Sequence, residues 1–90
     1  MPELTEQMAI VNSMGLHARP AAKLVQTVLQ FASDVQINVN GQRVNAKSIM
    51  GLLTLAAAQG TRLTVTAEGP DAEEAITAVR ELVAAGFGES

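Results

Sequence analysis

One stretch of the chain places its only histidine where phosphate chemistry can occur. Residues 15–23 read Gly-Leu-His-Ala-Arg-Pro-Ala-Ala-Lys, so His17 comes immediately before a predicted helix and Arg19 falls in its first turn. The start of a helix has unpaired backbone N–H groups and a partial positive charge, and a guanidinium adds donors that match phosphate oxygens. The side chain of Arg19 and the backbone of Ala18 and Arg19 are therefore predicted to bind a phosphate group.

The imidazole of His17 could also react with that phosphate. Positive surroundings disfavour the imidazolium and leave one ring nitrogen free as a nucleophile. Phosphoryl transfer depends on positioning and electrostatic stabilisation, so an exposed histidine with fixed amides and an arginine has nearly all that an acceptor needs. Because no second titratable group accompanies His17 and no pocket is predicted, we expect a carrier and not an enzyme. By itself, a lone surface histidine is more often incidental than functional.

The elements that must position this stretch are indicated by hydrophobic patterning. The β-branched residues in Met8–Val11 predict a first strand. From Ala18 to Ala32, apolar residues recur at steps of three and four, which predicts a helix with one buried face. Pro20 fits the first turn of that helix, where its missing N–H group costs nothing, so the helix must begin within a residue or two of His17.

A hairpin and a second helix are predicted next. The alternation of Val35–Val39, the Asn-Gly pair at 40–41 and the return over Gln42–Asn45 are typical of two antiparallel strands joined by a tight turn. Ser48 is predicted to cap a helix that ends at Gly60. The apolar residues on the buried side of this helix are Ile49, Leu52, Leu53 and Ala56.

A fourth strand and a third helix complete the pattern. Leu63, Val65 and Ala67 alternate with polar residues as a strand. Asp71 is predicted to cap the third helix, with Glu74 as its capping-box partner. The apolar residues on the buried side of that helix are Ala75, Ile76, Val79, Leu82, Val83 and Phe87.

The resulting order, β-α-β-β-α-β-α, predicts an α+β fold in which helices cover one face of an antiparallel sheet. A length of 90 residues fits one domain, spanning residues 1–90. The pattern does not determine the strand order, and a ferredoxin-like arrangement begins with the same order of elements.

Composition argues against several classes of function. The net charge of −3 and the two aromatic residues argue against a nucleic-acid surface. With no cysteine and one histidine, we expect neither a metal site nor a cofactor. The acidic start lacks the features of a signal peptide, and no apolar run is long enough to span a bilayer. A cytoplasmic protein without membrane insertion is therefore expected.

Two segments resemble those of a known family. Gly15–Ala21 resembles the active-centre signature of the HPr family, the histidine-containing phosphocarriers of the bacterial phosphoenolpyruvate-dependent sugar phosphotransferase system. Val44–Leu52 resembles the regulatory serine segment of the same family, and the likeness covers essentially the whole chain. The resemblance implies an open-faced β-sandwich with strand order 1-4-2-3 and three helices on one face.

The resemblance also implies a function for the histidine. His17 would accept a phosphoryl group on Nδ1 from phosphorylated Enzyme I and pass it to the A component of a sugar permease, with Arg19 stabilising the phosphate. The protein would act as a monomer.

Ser48 matches a serine that a dedicated kinase phosphorylates in many members of the family, so a serine kinase/phosphorylase is a further expected partner. The residue types alone favour a plain N-cap at this position. A phosphoserine would add about −2 of charge beside a surface that meets an acidic partner, and docking would weaken.

The resemblance suggests that Ile49, Met50 and Leu53 contact the partner proteins. Helical periodicity instead predicts that Ile49 and Leu53 face the core, whereas Met50 falls off the buried side and is the best docking residue. Lys23 and Lys47 are predicted to steer acidic partners. Gln26, Thr27 and Gln30 occupy positions where many family members carry lysine, which leaves a thinner positive rim.

Other functions stay open at this point. The lead-in to His17 also resembles the nitrogen-related branch of the family, in which phosphate flow serves regulation. A ferredoxin-like ligand-binding module would have an incidental histidine and a sheet order of 4-1-3-2. A small acyl-phosphate hydrolase would need an arginine and an asparagine around phosphate, and Asn12 is present.

Overall fold

The computed structural model describes residues 3–89, which form one four-stranded sheet and three α-helices. The elements in chain order are β1 (Glu3–Ala9), α1 (Ala18–Val28), β2 (Asp34–Val39), β3 (Gln42–Asn45), α2 (Ile49–Thr54), β4 (Arg62–Glu68) and α3 (Ala72–Ala84), followed by a 3₁₀ turn over Gly86–Gly88.

The sheet is antiparallel and its strands lie in the order β1-β4-β2-β3. This order confirms the one that the family resemblance implied and differs from the 4-1-3-2 order of the ferredoxin-like alternative. The three helices cover one face of the sheet, so the α+β open-faced arrangement is confirmed. Within residues 3–89, none of the helices has the length and apolar character needed to cross a membrane.

The core lies between the helices and one face of the sheet. Strand alternation sends every second residue of β2 and β4 into it, which is why hydrophobic periodicity identified both strands. The largest side chains that are fully buried there are Phe87, Ile10, Leu24, Ile37, Leu52 and Leu63.

The boundaries of β1 differ from the prediction. The strand covers Glu3–Ala9 and not Met8–Val11, because pairing with β4, from Glu3 opposite Glu68 to Ala9 opposite Arg62, defines its length. β1 is an edge strand with a largely exposed surface, and even Leu4 is 36% exposed, so its sequence carries little hydrophobic signal.

The first helix is shorter than its hydrophobic pattern predicts. It ends at Val28, and the predicted continuation to Ala32 is wrong. The carboxylate of Asp71 accepts hydrogen bonds from the backbone N–H groups of Ala32 and Ser33, both at 2.9 Å. These long-range bonds hold the chain in an extended turn that leads into β2.

The second helix is also shorter than predicted. It ends at Thr54, well before Gly60. Ala56, predicted on the buried side, is exposed and adopts a left-handed backbone conformation with φ 48°. A left-handed residue does not continue an α-helix, and the turn at Ala56 leaves Leu55 and Ala57 buried in the core.

Asp71 lies at the N-cap of α3, but its side chain makes no capping hydrogen bond. The predicted capping box with Glu74 is therefore wrong, because the Asp71 carboxylate binds Ser33 and the backbone around it. Phe87 is fully buried, as its pattern indicated, although it lies in the turn after α3 with φ 57° and not in the helix itself.

Candidate functional site

Helix α1 begins at the position that the predicted phosphate site requires. His17 is its N-cap, with extended backbone angles (φ −89°, ψ −167°) and no capping bond from its side chain. The first bond of the helix runs from the N–H of Ala21 to the carbonyl of His17 at 3.0 Å. Pro20 has no N–H group, so Ala18 and Arg19 present the unpaired N–H groups of the first turn.

The loop before His17 is anchored to the rest of the fold. Asn12 donates from Nδ2 to the carbonyl of Gly15 at 2.8 Å, and the N–H of Leu16 donates to the carbonyl of Ala57 at 2.8 Å. Gly15 has φ +69°, and a Cβ atom there would lie 2.4 Å from the Ala57 oxygen. Because Leu16 is buried in the core, the backbone that carries His17 is closely fixed.

The structure brings a second titratable group to His17, contrary to the prediction that none accompanies it. Nε2 of His17 lies 3.0 Å from Oε1 and 3.1 Å from Oε2 of Glu89. The side chains are 34% and 14% exposed, so the pair is partly shielded from solvent. The two residues are 72 positions apart, and no local motif in the sequence indicates the contact.

The surroundings of Glu89 favour its ionised form. The hydrogen bond from His17 is the largest cause that lowers the pKa of the Glu89 carboxyl below its ordinary value, partial burial opposes it, and the hydrogen bond from Asn12 adds to it. Electrostatic attraction to His17, when its ring is protonated, and to Arg19 acts in the same direction.

An open depression surrounds the histidine, where the sequence predicted no pocket. Its lining residues are Met14, His17, Arg19, Lys23, Gly88 and Glu89. Arg19 is exposed beside the start of the helix, whereas Lys23 donates from Nζ to the carbonyl of Phe87 at 2.7 Å. Within the described residues, this arrangement has the donors and positive charge to bind an anion next to a nucleophile.

Ser48 is the N-cap of α2, and its Oγ accepts a hydrogen bond from the N–H of Gly51 at 3.1 Å. The predicted cap is confirmed. The side chain is half-buried, and its hydroxyl supports the start of the helix.

The predicted docking residues lie on and beside α2. Met50 is 74% exposed, and Ile49 is 40% exposed, so the placement of Ile49 in the core by periodicity is wrong. Leu53 is partly buried against the core, as periodicity predicted. Lys47 donates to the carbonyl of Phe31 at 3.3 Å, and Lys23 is bonded to Phe87, so both predicted steering lysines also contact the backbone.

Two other possibilities can be compared with the geometry. Asn12, the residue that a hydrolase would need at its phosphate, is 2% exposed and bonded to Gly15 and Glu89, so it is not available to a substrate. Between residues 3 and 89, no group of three or more histidine, cysteine or acidic residues is arranged to hold a metal ion.

The strand order, with a histidine and an arginine at the start of α1, defines a small α+β protein that presents a histidine beside the free N–H groups of a helix start. The family model described as "PTS HPr component phosphorylation site" matches residues 4–85. The phosphocarrier protein HPr of Cupriavidus necator is 46% identical over 86 residues, which cover 96% of this chain and 97% of that protein. The chain therefore belongs to the HPr family of phosphocarrier proteins of the phosphotransferase system.

Solved structures agree with this assignment. The crystal structure of HPr-C-His from Thermoanaerobacter tengcongensis has a TM-score of 0.90 and 47% identity, and the match covers 100% of this chain and 99% of that one. An HPr dimer from the same organism has a TM-score of 0.78 and 48% identity, covering 91% and 94% of the two chains.

Proposed function

We propose that His17 is the phosphoryl acceptor of this protein, that phosphorylated Enzyme I is the donor, and that the A components of sugar permeases take the group onward. The observation that carries the proposal is the position of His17 as the N-cap of α1, beside the unpaired N–H groups of Ala18 and Arg19. The family assignment supports the same function.

In the proposed step, the lone pair of Nδ1 forms a bond to phosphorus while the bond between phosphorus and the donor breaks. The phosphoryl oxygens then accept hydrogen bonds from the helix start and from the guanidinium of Arg19. Donor and acceptor chemistry come from the partner proteins, so the chain acts as a carrier and not as an enzyme. We propose that it does so in the cytoplasm, as one domain.

The test is incubation with phosphoenolpyruvate, magnesium and the cognate Enzyme I, followed by intact mass measurement of the wild type and His17→Ala. The wild type should gain one acid-labile phosphoryl group and the variant none. A wild type that stays unlabelled, with an Enzyme I shown to be active on another carrier, would overturn the proposal.

We propose that Ile49, Met50 and Leu53 form an apolar contact for the partners, and that Lys23 and Lys47 steer them. The exposure of Met50 and Ile49 beside the capped start of α2 supports this assignment. Met50→Ala should raise the KM of Enzyme I for the carrier without changing the fold, because methionine adapts to different partner surfaces.

We also propose that a serine kinase/phosphorylase acts on Ser48 and that the added charge weakens docking. Ser48→Asp should mimic the charge, and Ser48→Asn is the matched control, since both side chains can cap α2. Thermal melting should be similar for the two variants, whereas the KM for Enzyme I should rise only with Asp. Equal KM values would contradict the proposed regulation.

The carrier is proposed to act as a monomer, although a related HPr has been crystallised as a dimer. Light scattering of the purified chain over a range of concentrations tests this. A mass that stays at 9.4 kDa supports it, and a mass that doubles contradicts it.

A further inference from the structure

The carboxylate of Glu89 is held against His17 by the fold and not by a chance surface contact. Phe87 is fully buried, and its carbonyl accepts a hydrogen bond from Nζ of Lys23 at 2.7 Å. The N–H of Glu89 donates to the carbonyl of Gly86 at 2.9 Å, which closes a tight turn. Backbone, core and side-chain contacts thus fix the segment 86–89 beside the start of α1.

Asn12 orients the carboxylate itself. Its Nδ2 donates to Oε1 of Glu89 at 3.1 Å and to the carbonyl of Gly15 at 2.8 Å, and the residue is 2% exposed. Asn12 therefore connects Glu89 to the loop that carries His17. Hydrogen bonds thus connect the buried amide of Asn12 to the carboxylate of Glu89, and that carboxylate to the imidazole of His17.

This contact determines which ring nitrogen carries the proton. An ionised carboxylate only accepts hydrogen bonds, so Nε2, which faces both of its oxygens, must be the N–H nitrogen of a neutral imidazole. The lone pair then lies on Nδ1. We infer that Glu89 is a positioning residue for phosphoryl transfer: it holds the Nε2–H tautomer of His17 and balances the charge of the ring as Nδ1 is phosphorylated.

The inference rests on the proposed acceptor role of His17 and accounts for its charges. When Nδ1 forms the bond to phosphorus and the donor leaves with its electron pair, the proton stays on Nε2 and the ring becomes positively charged. Glu89 then faces an imidazolium-like ring, as the carboxylate behind the catalytic histidine of a serine protease does. Arg19 and Lys23, the other charged groups of the depression, are cationic and cannot perform this role.

The ionisation of Glu89 is consistent with this arrangement. The hydrogen bond from His17 holds the pKa of the Glu89 carboxyl below its ordinary value, so the carboxyl is ionised at neutral pH. In His17→Ala, the pKa of Glu89 should return toward that ordinary value, which carbon-detected NMR titration can measure.

The first test is ring nitrogen NMR of the unphosphorylated full chain at alkaline pH. In the wild type, Nε2 should show the shift of a protonated nitrogen and Nδ1 that of an unprotonated one. In Glu89→Ala the two shifts should move toward each other, because both tautomers become populated. Glu89→Asp should restore part of the difference, and Glu81→Ala, which removes an exposed carboxylate of α3, should leave the shifts unchanged.

The second test is the rate of phosphorylation by Enzyme I. Glu89→Ala should lower kcat about tenfold, the size expected for one charge-assisted hydrogen bond, and leave KM near the wild-type value. Glu89→Asp should recover part of kcat. A variant whose tautomer and kcat both match the wild type would overturn the inference, and so would a change confined to KM.

The two tests distinguish failure of the proposed function from failure of the inference about Glu89. If the wild type itself is not labelled by its cognate Enzyme I, the acceptor role of His17 falls, and with it the contribution of Glu89 to transfer. The tautomer measurement does not use Enzyme I, so in either case it reports whether Glu89 fixes the tautomer of the His17 ring.

Discussion

Arg19 is predicted to bind the phosphoryl group, whereas His17 accepts it, so removing Arg19 tests the binding contribution alone. The side chain is exposed beside the free N–H groups of the helix start, and it has no acceptor among the described residues. A guanidinium in that position is available to a phosphate, because its planar, paired N–H donors match the phosphate oxygens. Its contribution should therefore appear in the reaction and not in the stability of the fold.

We predict that Arg19→Ala lowers kcat/KM for phosphorylation by Enzyme I about 10- to 100-fold, the equivalent of a lost hydrogen bond to a charged group. Rapid-quench measurement of the phosphorylated fraction checks this. Arg43→Ala, on the exposed strand β3, is the matched control and should react at the wild-type rate. A fall of equal size in both variants would show that net charge matters and position does not.

Gly15 determines whether the loop before His17 can reach its place. Its φ of +69° is strained for other residues, and an added Cβ would lie 2.4 Å from the Ala57 carbonyl oxygen. Gly15→Ala should reduce the free energy of unfolding by about 3 kcal/mol, from backbone strain and overpacking together. Urea denaturation measures the change.

Gly41 is the control for that substitution. It has φ +86°, but nothing lies within 4 Å of a Cβ built there. Gly41→Ala should therefore lose only about 1 kcal/mol, from the backbone term alone. Equal losses at the two positions would mean that the close approach to Ala57 carries no energy.

At the scale of elements, Asp71 joins the end of α1 to the start of α3. It accepts hydrogen bonds from the N–H groups of Ala32 and Ser33 and from the Ser33 hydroxyl, which holds two connections together. The Ser33 hydroxyl is the largest cause, followed by the Ala32 N–H, that lowers the pKa of the Asp71 carboxyl below 3.8. A lowered pKa in the folded state means that the ionised form stabilises the fold.

The resulting pH dependence has a definite sign. The contribution of Asp71 is complete above the unfolded pKa near 3.8 and is lost as the pH falls through the lower folded value. Asp71→Asn should thus lower the thermal midpoint at neutral pH, and its difference from the wild type should shrink in acid. Glu74→Gln, which alters the capping-box residue that makes no cap, should show neither effect.

Hydrophobic patterns predicted some of the strands and helices better than others. Periodicity identified both central strands and helices α1 and α3, because each of these elements buries one regular face. In α2 only Leu52 is buried, so periodicity placed Ile49 and Ala56 wrongly. Helix ends were less accurate: α1 stops at Val28, and the predicted continuation to Ala32 fails because Asp71, far away in the sequence, accepts hydrogen bonds from the N–H groups of Ala32 and Ser33. Edge strand β1 was misplaced because its pairing with β4 outweighs its own pattern.

The residues of the candidate site also differ in whether the neighbouring sequence predicts their positions. His17, Arg19 and the cap at Ser48 were predictable, since a helix start depends on a few neighbouring residues. Glu89 was not, because only the packing of α3 and the turn after it brings position 89 to position 17. The predicted cap at Asp71 was wrong because the carboxylate of Asp71 binds Ser33, a residue that is distant in the sequence.

At the scale of the whole molecule, the described end of the chain both completes the core and reaches the site. Phe87 is fully buried after α3, and two residues later Glu89 contacts His17. Core packing and site geometry are therefore coupled through a four-residue segment, 86–89, in which Phe87 adopts a left-handed conformation. Weakening the anchor should affect both properties.

We predict that Phe87→Ala lowers the free energy of unfolding by about 3–5 kcal/mol, because it leaves a cavity in the core. Leu29→Ala, at a site that is 59% exposed, should change it by less than about 0.5 kcal/mol. Urea denaturation of both variants provides the comparison. Under conditions where Phe87→Ala stays folded, its His17 ring nitrogens should also shift toward those of Glu89→Ala, since the anchor of the carboxylate is gone. Wild-type shifts in a destabilised Phe87→Ala would instead show that Lys23 and Asn12 suffice to hold Glu89, and that stability and site geometry are separable.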